Sequence, residues 1–273
     1  MPIFCFGFYL GRGAVTLRSV LGFLVIHLLL YGGANAFNSY YDRDTGPIGG
    51  LYHPPPVTRG VWTAAVTLKI TGGILATLIG GMFSIVYWTF VGLSLAYSHP
   101  RIRLKRYPVI GALTVAFGQG GLGFLAGWVL GRPLDALRSL EGTLGLATTM
   151  LFTVALYPLT QSYQIDTDRL RGDRTLPVVL GTPGAFRFSQ IALLLAGVCG
   201  GILFGLHESV PEGCALGAYT IVLAASVHRA ARRWATWSLR RKYTWVMRFG
   251  EINALVIMAY LAVKYAWMQV VGS

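Results

Sequence analysis

The chain alternates long apolar runs with short polar connections, and most runs are long enough to cross a lipid bilayer. A spanning helix takes about 20 apolar residues, and the pattern predicts one over 15–41 and two over 62–98, separated by a turn at Gly80-Gly81. Pro2–Leu10 is shorter. We interpret it as the end of a first spanning helix, with truncation of its beginning as one explanation. Further spans are predicted at 108–130, 143–160, 185–206, 213–230 and 247–270. The pattern therefore predicts an all-α polytopic membrane protein with about nine transmembrane helices.

Composition agrees with a membrane protein. Of the 273 residues, 54% are hydrophobic and 12% are charged, and the mean hydropathy is +0.58, which is too apolar for an ordinary soluble domain. In a soluble protein the net charge of +13 would point to nucleic acid. Because the basic residues fall between apolar runs, we expect membrane lipids and an anionic substrate as partners, and no nucleic acid. The three scattered cysteines have no disulfide or metal-ligand spacing.

The basic residues also predict an orientation. Most of the 23 Lys and Arg lie in the connections after the second, fourth, sixth and eighth predicted helices. Loops rich in Lys and Arg stay in the cytoplasm. The chain is therefore predicted to be integral to an inner or plasma membrane, with the polar motifs described below facing the cytoplasm.

Amides and acids mark the end of the 15–41 run, where a membrane helix should meet water. Asn35, Asn38 and Asp42 are spaced i, i+3, i+7 and so share one helix face. A single stripe of this kind at a helix end is commonly only solvated. A functional interpretation therefore needs a second stripe elsewhere in the chain.

The second stripe closes the 143–160 span. Gln161, Gln164 and Asp168 repeat the same spacing at the same end of a helix four spans later. Two matching stripes predict an internal duplication whose halves face each other across a cavity. The alternative is two interfacial helix ends that merely have similar compositions.

A cationic loop at 97–106 lies on the same predicted side as both stripes. Positive-inside charge alone is one explanation for it. The other is a binding site, because carboxylates hold Mg²⁺, Mg²⁺ binds phosphate oxygens, and guanidinium groups neutralise the remaining phosphate charge. The natural ligand of such a site is a diphosphate, and the membrane provides room for an attached hydrocarbon tail.

Four segments, in order, are similar to the UbiA superfamily of intramembrane prenyltransferases. Asn38-Ser-Tyr-Tyr-Asp42 resembles the first Asp-rich motif of that family, and residues 53–60 resemble the segment after it. Residues 97–106 resemble the diphosphate-contacting loop, and 168–181 resemble the end of the second Asp-rich motif with its tail. The resemblance covers nearly the whole length and implies a single domain over 1–273.

The resemblance implies a helix bundle around a central cavity that opens sideways to lipid. Its implied activity is Mg²⁺-dependent ionisation of an allylic prenyl diphosphate and transfer of the prenyl group to a hydrophobic acceptor, aromatic or lipid. Two alternatives stay open: a membrane terpene cyclase of the same fold that needs no acceptor, and a non-catalytic binder of prenyl diphosphates.

The resemblance also implies the roles of individual residues. Asp42 and Asp168 are the candidate catalytic residues. The candidate metal ligands are Asn38, Asp42, Asp44, Gln164, Asp166 and Asp168, with Asp44 and Asp166 the weaker members. The candidate diphosphate-binding residues are Asn35, Tyr41, Arg103, Lys105, Gln161, Tyr163 and Arg174.

Two positions depart from the family pattern. Gly46 stands where the first motif usually has another Asp, and Gln164 stands where the second motif usually begins with Asp. Glutamine offers a carbonyl oxygen but no negative charge, so weaker metal binding is expected. This departure motivates both alternatives to an ordinary transferase.

Overall fold

The computed structural model describes residues 2–43 and 45–271, with side chains through Trp267. Within these ranges the chain forms α1 Pro2–Leu10, α2 Leu17–Asp42, α3 Arg59–Ile79, α4 Gly81–Ser98, α5 Pro108–Trp128, α6 Leu140–Gln161, α7 Ile165–Leu170, α8 Leu176–His207, α9 Val210–Arg233 and α10 Leu239–Val271. In the described part of the chain, 8 helices are long and apolar enough to cross a membrane, all except α1 and α7. The predicted all-α membrane fold is confirmed, and α1 accounts for the ninth helix of the sequence count.

Two helices begin earlier than their hydropathy predicts. Helix α8 starts at Leu176 rather than near 185, and its first turns are set off by a kink at Gly181, where φ is 66°. Helix α10 starts at Leu239 rather than near 247. Its first turns carry arginines, which a search for apolar runs misses because long cationic side chains can extend from a helix end into water.

The turn predicted between α3 and α4 is confirmed at Gly80. Its φ is 153°, which a residue with a side chain rarely adopts. A Cβ atom here would also lie 2.8 Å from Nη2 of Arg18, whose Nε donates to the carbonyl oxygen of Ile79. Glycine at this position therefore allows two membrane helices to follow each other without a loop.

The first and last helices pack together and close the bundle. Helices α1 and α5 pack so closely that their backbones are in contact. A Cβ atom at Gly127 on α5 would lie only 2.0 Å from the carbonyl oxygen of Phe4 on α1. Helix α10 returns to α1, where the Tyr265 hydroxyl donates to the carbonyl oxygen of Gly13. At this end Lys264 also pairs with Glu208 at 2.7 Å. The polar motifs lie at the opposite end, and a cavity opens between the helices there.

Candidate functional site

The cavity has a volume of about 540 Å³ and is lined from α1, α2, α4, α5, α6, α7 and α10. Along α2 the lining runs from Asp42 to Tyr31, which corresponds to about 16 Å at 1.5 Å per residue. Away from Asp42 the walls become aromatic and aliphatic, with Ile3, Tyr31, Phe90, Leu93 and Phe152. One end of the cavity is therefore charged and the rest is largely apolar, as for a ligand with a polar head and a hydrocarbon tail.

Helix α2 presents its polar stripe to this cavity. Asn35, Asn38 and Asp42 all line it, because residues three, four and seven apart lie on one helix face. The side-chain oxygen of Asn38 accepts hydrogen bonds from the Ser98 hydroxyl and the Lys105 amine, each at 2.8 Å. The stripe is thus held in place from α4 and from the loop after it.

The second stripe reaches the cavity by a different route. The sequence predicts one helix face, whereas α6 ends at Gln161 and a separate short helix, α7, carries Asp168. Between them Gln164 has φ −113° and ψ 8°, outside the helical region, and its Nε2 donates to the carbonyl oxygen of Pro47. All three residues nevertheless line the same cavity as Asp42, so the two stripes face a common space.

Asp173 is a site residue that the sequence interpretation missed. It is 4% exposed, lines the cavity and accepts two hydrogen bonds from Arg103, to Nε at 2.8 Å and Nη2 at 2.7 Å. Its five-residue separation from Asp168 does not match a helix face. Gly172, at φ 74°, reverses the backbone after α7 and brings Asp173 inward. A glycine directly after a short helix was the available signal.

Two of the three cations predicted to bind diphosphate, Arg103 and Lys105, are paired with carboxylates here. The buried Lys105 amine contacts both carboxylate oxygens of Asp42. Burial lowers the pKa of this amine, and the charge of Asp42 opposes that effect. Arg103 joins Asp173 to Asp42, which it contacts at 3.4 Å. Its backbone has φ 48°, a costly conformation for a residue with a side chain. At the charged end of the cavity, the two carboxylates of Asp42 and Asp173 are thus paired with two cations, Lys105 and Arg103.

The Asp168 carboxyl is buried as well, with 8% of the residue exposed. Its Oδ2 accepts a hydrogen bond from the Thr175 hydroxyl at 3.0 Å. Burial raises the pKa of the Asp168 carboxyl to about 7, although the Thr175 hydrogen bond lowers it in part. A small change in surroundings or pH therefore changes the charge of this carboxyl.

Several predicted residues lie away from the cavity lining. Asp166 is two positions before Asp168 on α7, so it points to the other face, and its side chain is 98% exposed. Tyr41 packs its ring against His99. Arg174 is exposed, and its backbone N–H donates to the carbonyl oxygen of Arg106. Tyr163 does line the cavity. Asp44 lies outside the described residues.

The donors at the charged end suit magnesium. They are carboxylate and amide oxygens, which hard cations prefer. Gln161 Oε1 is buried without a hydrogen-bond partner among the described residues, as expected of an oxygen that a ligand completes. No three His, Cys, Asp or Glu side chains in the described ranges could hold a metal together. Mg²⁺ needs only one or two carboxylates when phosphate and water supply its other ligands, so the residues fit the ion.

Gln119 is a second residue that the sequence interpretation passed over. It lies in a π-helical segment of α5, Ala116–Leu122, and its amide faces the cavity. Segments of this kind are frequent at functional sites. A lone amide inside a glycine-rich membrane span was the sequence signal.

A helical membrane bundle whose cavity joins carboxylates, amides and cations to an apolar chamber defines an intramembrane site for an anionic ligand with a hydrocarbon tail. The model of the UbiA prenyltransferase family matches residues 1–252, and the chain belongs to this family. This confirms the family inferred from the four sequence motifs.

Similar proteins agree with this placement. The chain is 28% identical to the digeranylgeranylglyceryl phosphate synthase of Methanoculleus marisnigri, over 67% of the chain and 65% of that protein. It is 27% identical to the chloroplastic chlorophyll synthase of Oryza sativa, over 60% and 46%. It thus spans less than two thirds of these relatives. A UbiA homologue from Archaeoglobus fulgidus, solved bound to DMAPP and Mg²⁺, superposes with a TM-score of 0.72 at 20% identity, over 96% of this chain and 93% of that one, which shows the same fold.

Proposed function

We propose that this protein is a Mg²⁺-dependent intramembrane prenyltransferase that ionises an allylic prenyl diphosphate and transfers the prenyl group to a hydrophobic acceptor. The observation that carries the proposal is the convergence of Asp42, Asp168 and Asp173 with Lys105 on one end of an apolar cavity. The relatives support it, since they are named as synthases of digeranylgeranylglyceryl phosphate and chlorophyll.

The charged end is the place for the diphosphate. Asn38, Asp42 and Asp168 would hold Mg²⁺, which, when bound, neutralises charge on the departing diphosphate. Lys105 and Arg103 neutralise phosphate oxygens, and Lys105 leaves Asp42 in order to do so. This exchange keeps the net charge of a buried site small before and after the substrate enters.

The apolar part of the cavity is the place for the prenyl chain and its cation. The rings of Tyr31, Phe90 and Phe152 line it, and aromatic faces stabilise a passing positive charge. Such walls also exclude the water that would otherwise capture an allylic cation. The Gln119 amide, which lines the same cavity from α5, would hydrogen-bond a polar group of the acceptor.

We further propose that the charged end faces the cytoplasm. The strongly basic segments near residues 101–106 and 229–242 lie at this end of the bundle. The other end pairs Lys264 with Glu208 and Arg132 with Glu141. Positive-inside asymmetry supports this orientation, and protease or thiol-labelling access from each side of sealed vesicles tests it.

Replacing the two carboxylates tests the function. Asp42→Ala and Asp168→Ala are each expected to reduce Mg²⁺-dependent release of diphosphate from prenyl donors by about a thousandfold, because each removes a charge from the metal and phosphate region. Asp166→Ala removes the same charge from an exposed position and is the matched control, expected to change release less than about twofold.

Unchanged release in both cavity variants would exclude these residues from the mechanism. Cyclic products from donor alone would favour the cyclase.

Magnesium binding should depend on pH through Asp168. Because the pKa of its carboxyl is raised to about 7, the group is mostly protonated below that pH and must lose its proton to bind a cation. Apparent Mg²⁺ affinity is therefore expected to fall by about tenfold per pH unit below 7 and to level off above it. Calorimetric titration from acid to alkaline pH measures this, and Asp168→Asn should give a flatter profile. A wild-type profile as flat as the variant's would contradict the assignment.

A further inference from the structure

A second concave surface lies outside the cavity, at the same end of the bundle. This α9–α10 groove runs between helices α9 and α10 and has a volume of about 610 Å³. Its lining includes Arg240, Arg241 and Arg248, with the rings of Trp237 and Trp245. None of the described residues that line the groove is acidic.

The groove arginines have no carboxylate partners within the described ranges. The guanidinium carbon of Arg241 lies 4.8 Å from the centre of the Trp237 ring. That of Arg240 lies 5.8 Å from the centre of the Tyr52 ring. Arg248 is exposed at the groove edge. Hydroxyl groups of Ser226 and Thr244 add donors beside them. The groove thus offers several positive or donor groups to one anion, which arginine binds well because its fork matches two phosphate oxygens.

The order of residues along α10 gives the shape of the ligand. Arg241, Trp245, Arg248 and Ile252 are spaced i, i+4, i+7, i+11 and so lie on one helix face. Beyond them the same face continues to Leu255, with Ile252 58% and Leu255 70% exposed. Cations and tryptophan rings therefore lead directly into exposed hydrocarbon. This is the order of head group, interface and acyl chain in a bilayer leaflet.

We propose that the α9–α10 groove binds one anionic phospholipid, with its phosphate on Arg241 and Arg248 and an acyl chain along Ile252 and Leu255. The site is separate from the prenyl-diphosphate site and does not depend on its activity. Helix α10 lies between the two, because Met247 and Ala254 on another face line the main cavity. A lipid bound here therefore supports one wall of that cavity from outside.

Native mass spectrometry of the purified full chain in detergent tests the proposal, with dioleoylphosphatidylglycerol as probe and dioleoylphosphatidylcholine as the neutral comparison. Wild type is expected to retain one phosphatidylglycerol with at least about tenfold preference. Arg241→Gln with Arg248→Gln should lower that retention by about tenfold. Arg229→Gln with Arg232→Gln is the matched control: it removes the same charge from exposed positions outside the groove and should change retention less than about twofold.

Three results would overturn the proposal. Equal loss in both double variants would mean diffuse attraction to basic residues, and equal retention of phosphatidylcholine would mean no recognition of charge. Displacement of the lipid by glycerol phosphate at the same concentration would mean a site for soluble anions. If the arginine variant does not fold, as judged by thermal melting, Ile252→Asn decides. It should lower retention about fivefold through the acyl chain alone, and unchanged retention would refute the site.

Discussion

Asp173→Asn is expected to lower kcat/KM for diphosphate release by at least about a thousandfold. The buried Asp173 carboxylate accepts both hydrogen bonds of the Arg103 fork, and an amide cannot accept both. The variant therefore loses a negative charge beside the metal and releases Arg103 toward Asp42. Steady-state release of diphosphate at saturating Mg²⁺ measures the effect, with Asp166→Asn as the exposed control.

Arg103→Lys separates two possible roles of Asp173. The lysine variant keeps the positive charge of Arg103 but loses its two-pronged hydrogen bonding. If Asp173 acts mainly by holding Arg103, Arg103→Lys should lower kcat/KM nearly as much as Asp173→Asn does, and Mg²⁺ affinity should be unchanged. If Asp173 binds the metal, only Asp173→Asn should weaken Mg²⁺ binding, by about tenfold or more. An Asp173→Asn variant within threefold of wild type in both measurements would remove the residue from the site.

Lys105→Met should change two measurements in opposite directions. In the free protein the Lys105 amine occupies both oxygens of Asp42 and also contacts Asn38. Without it, Mg²⁺ affinity in the absence of donor should rise by about tenfold, because a competing cation has gone. The kcat/KM for the donor should fall by about a hundredfold to a thousandfold, because a phosphate-binding charge has gone as well.

Calorimetric titration with Mg²⁺ alone, followed by donor kinetics, tests this reversal. Lys242→Met is the control, since Lys242 lies at the same end of the bundle with its amine 5.7 Å from the Trp234 ring. It should change neither quantity by more than about twofold. Weaker Mg²⁺ binding in Lys105→Met would show that the lysine supports the metal site rather than competing for it.

The fold followed closely from hydropathy, since apolar runs of spanning length have few alternatives in a bilayer. The turn at Gly80 and the face shared by Asn35, Asn38 and Asp42 depend only on local backbone geometry, which neighbouring residues determine. Helix starts were less predictable at Leu176 and Leu239, because arginines, a proline or a kink interrupt the apolar pattern without ending the helix.

The sequence by itself determined the membrane bundle, its family and the candidate residues Asp42, Asp168 and Lys105. Only the tertiary structure decided which of them share one space. It brought Asp173 inward through the left-handed turn at Gly172, left Asp166 in solvent and paired Lys105 with Asp42 across 63 positions. The physical reason is how far apart along the chain the interacting residues lie. Helix formation and membrane insertion depend on neighbouring residues, whereas a charged site depends on electrostatic contacts between segments far apart in the chain.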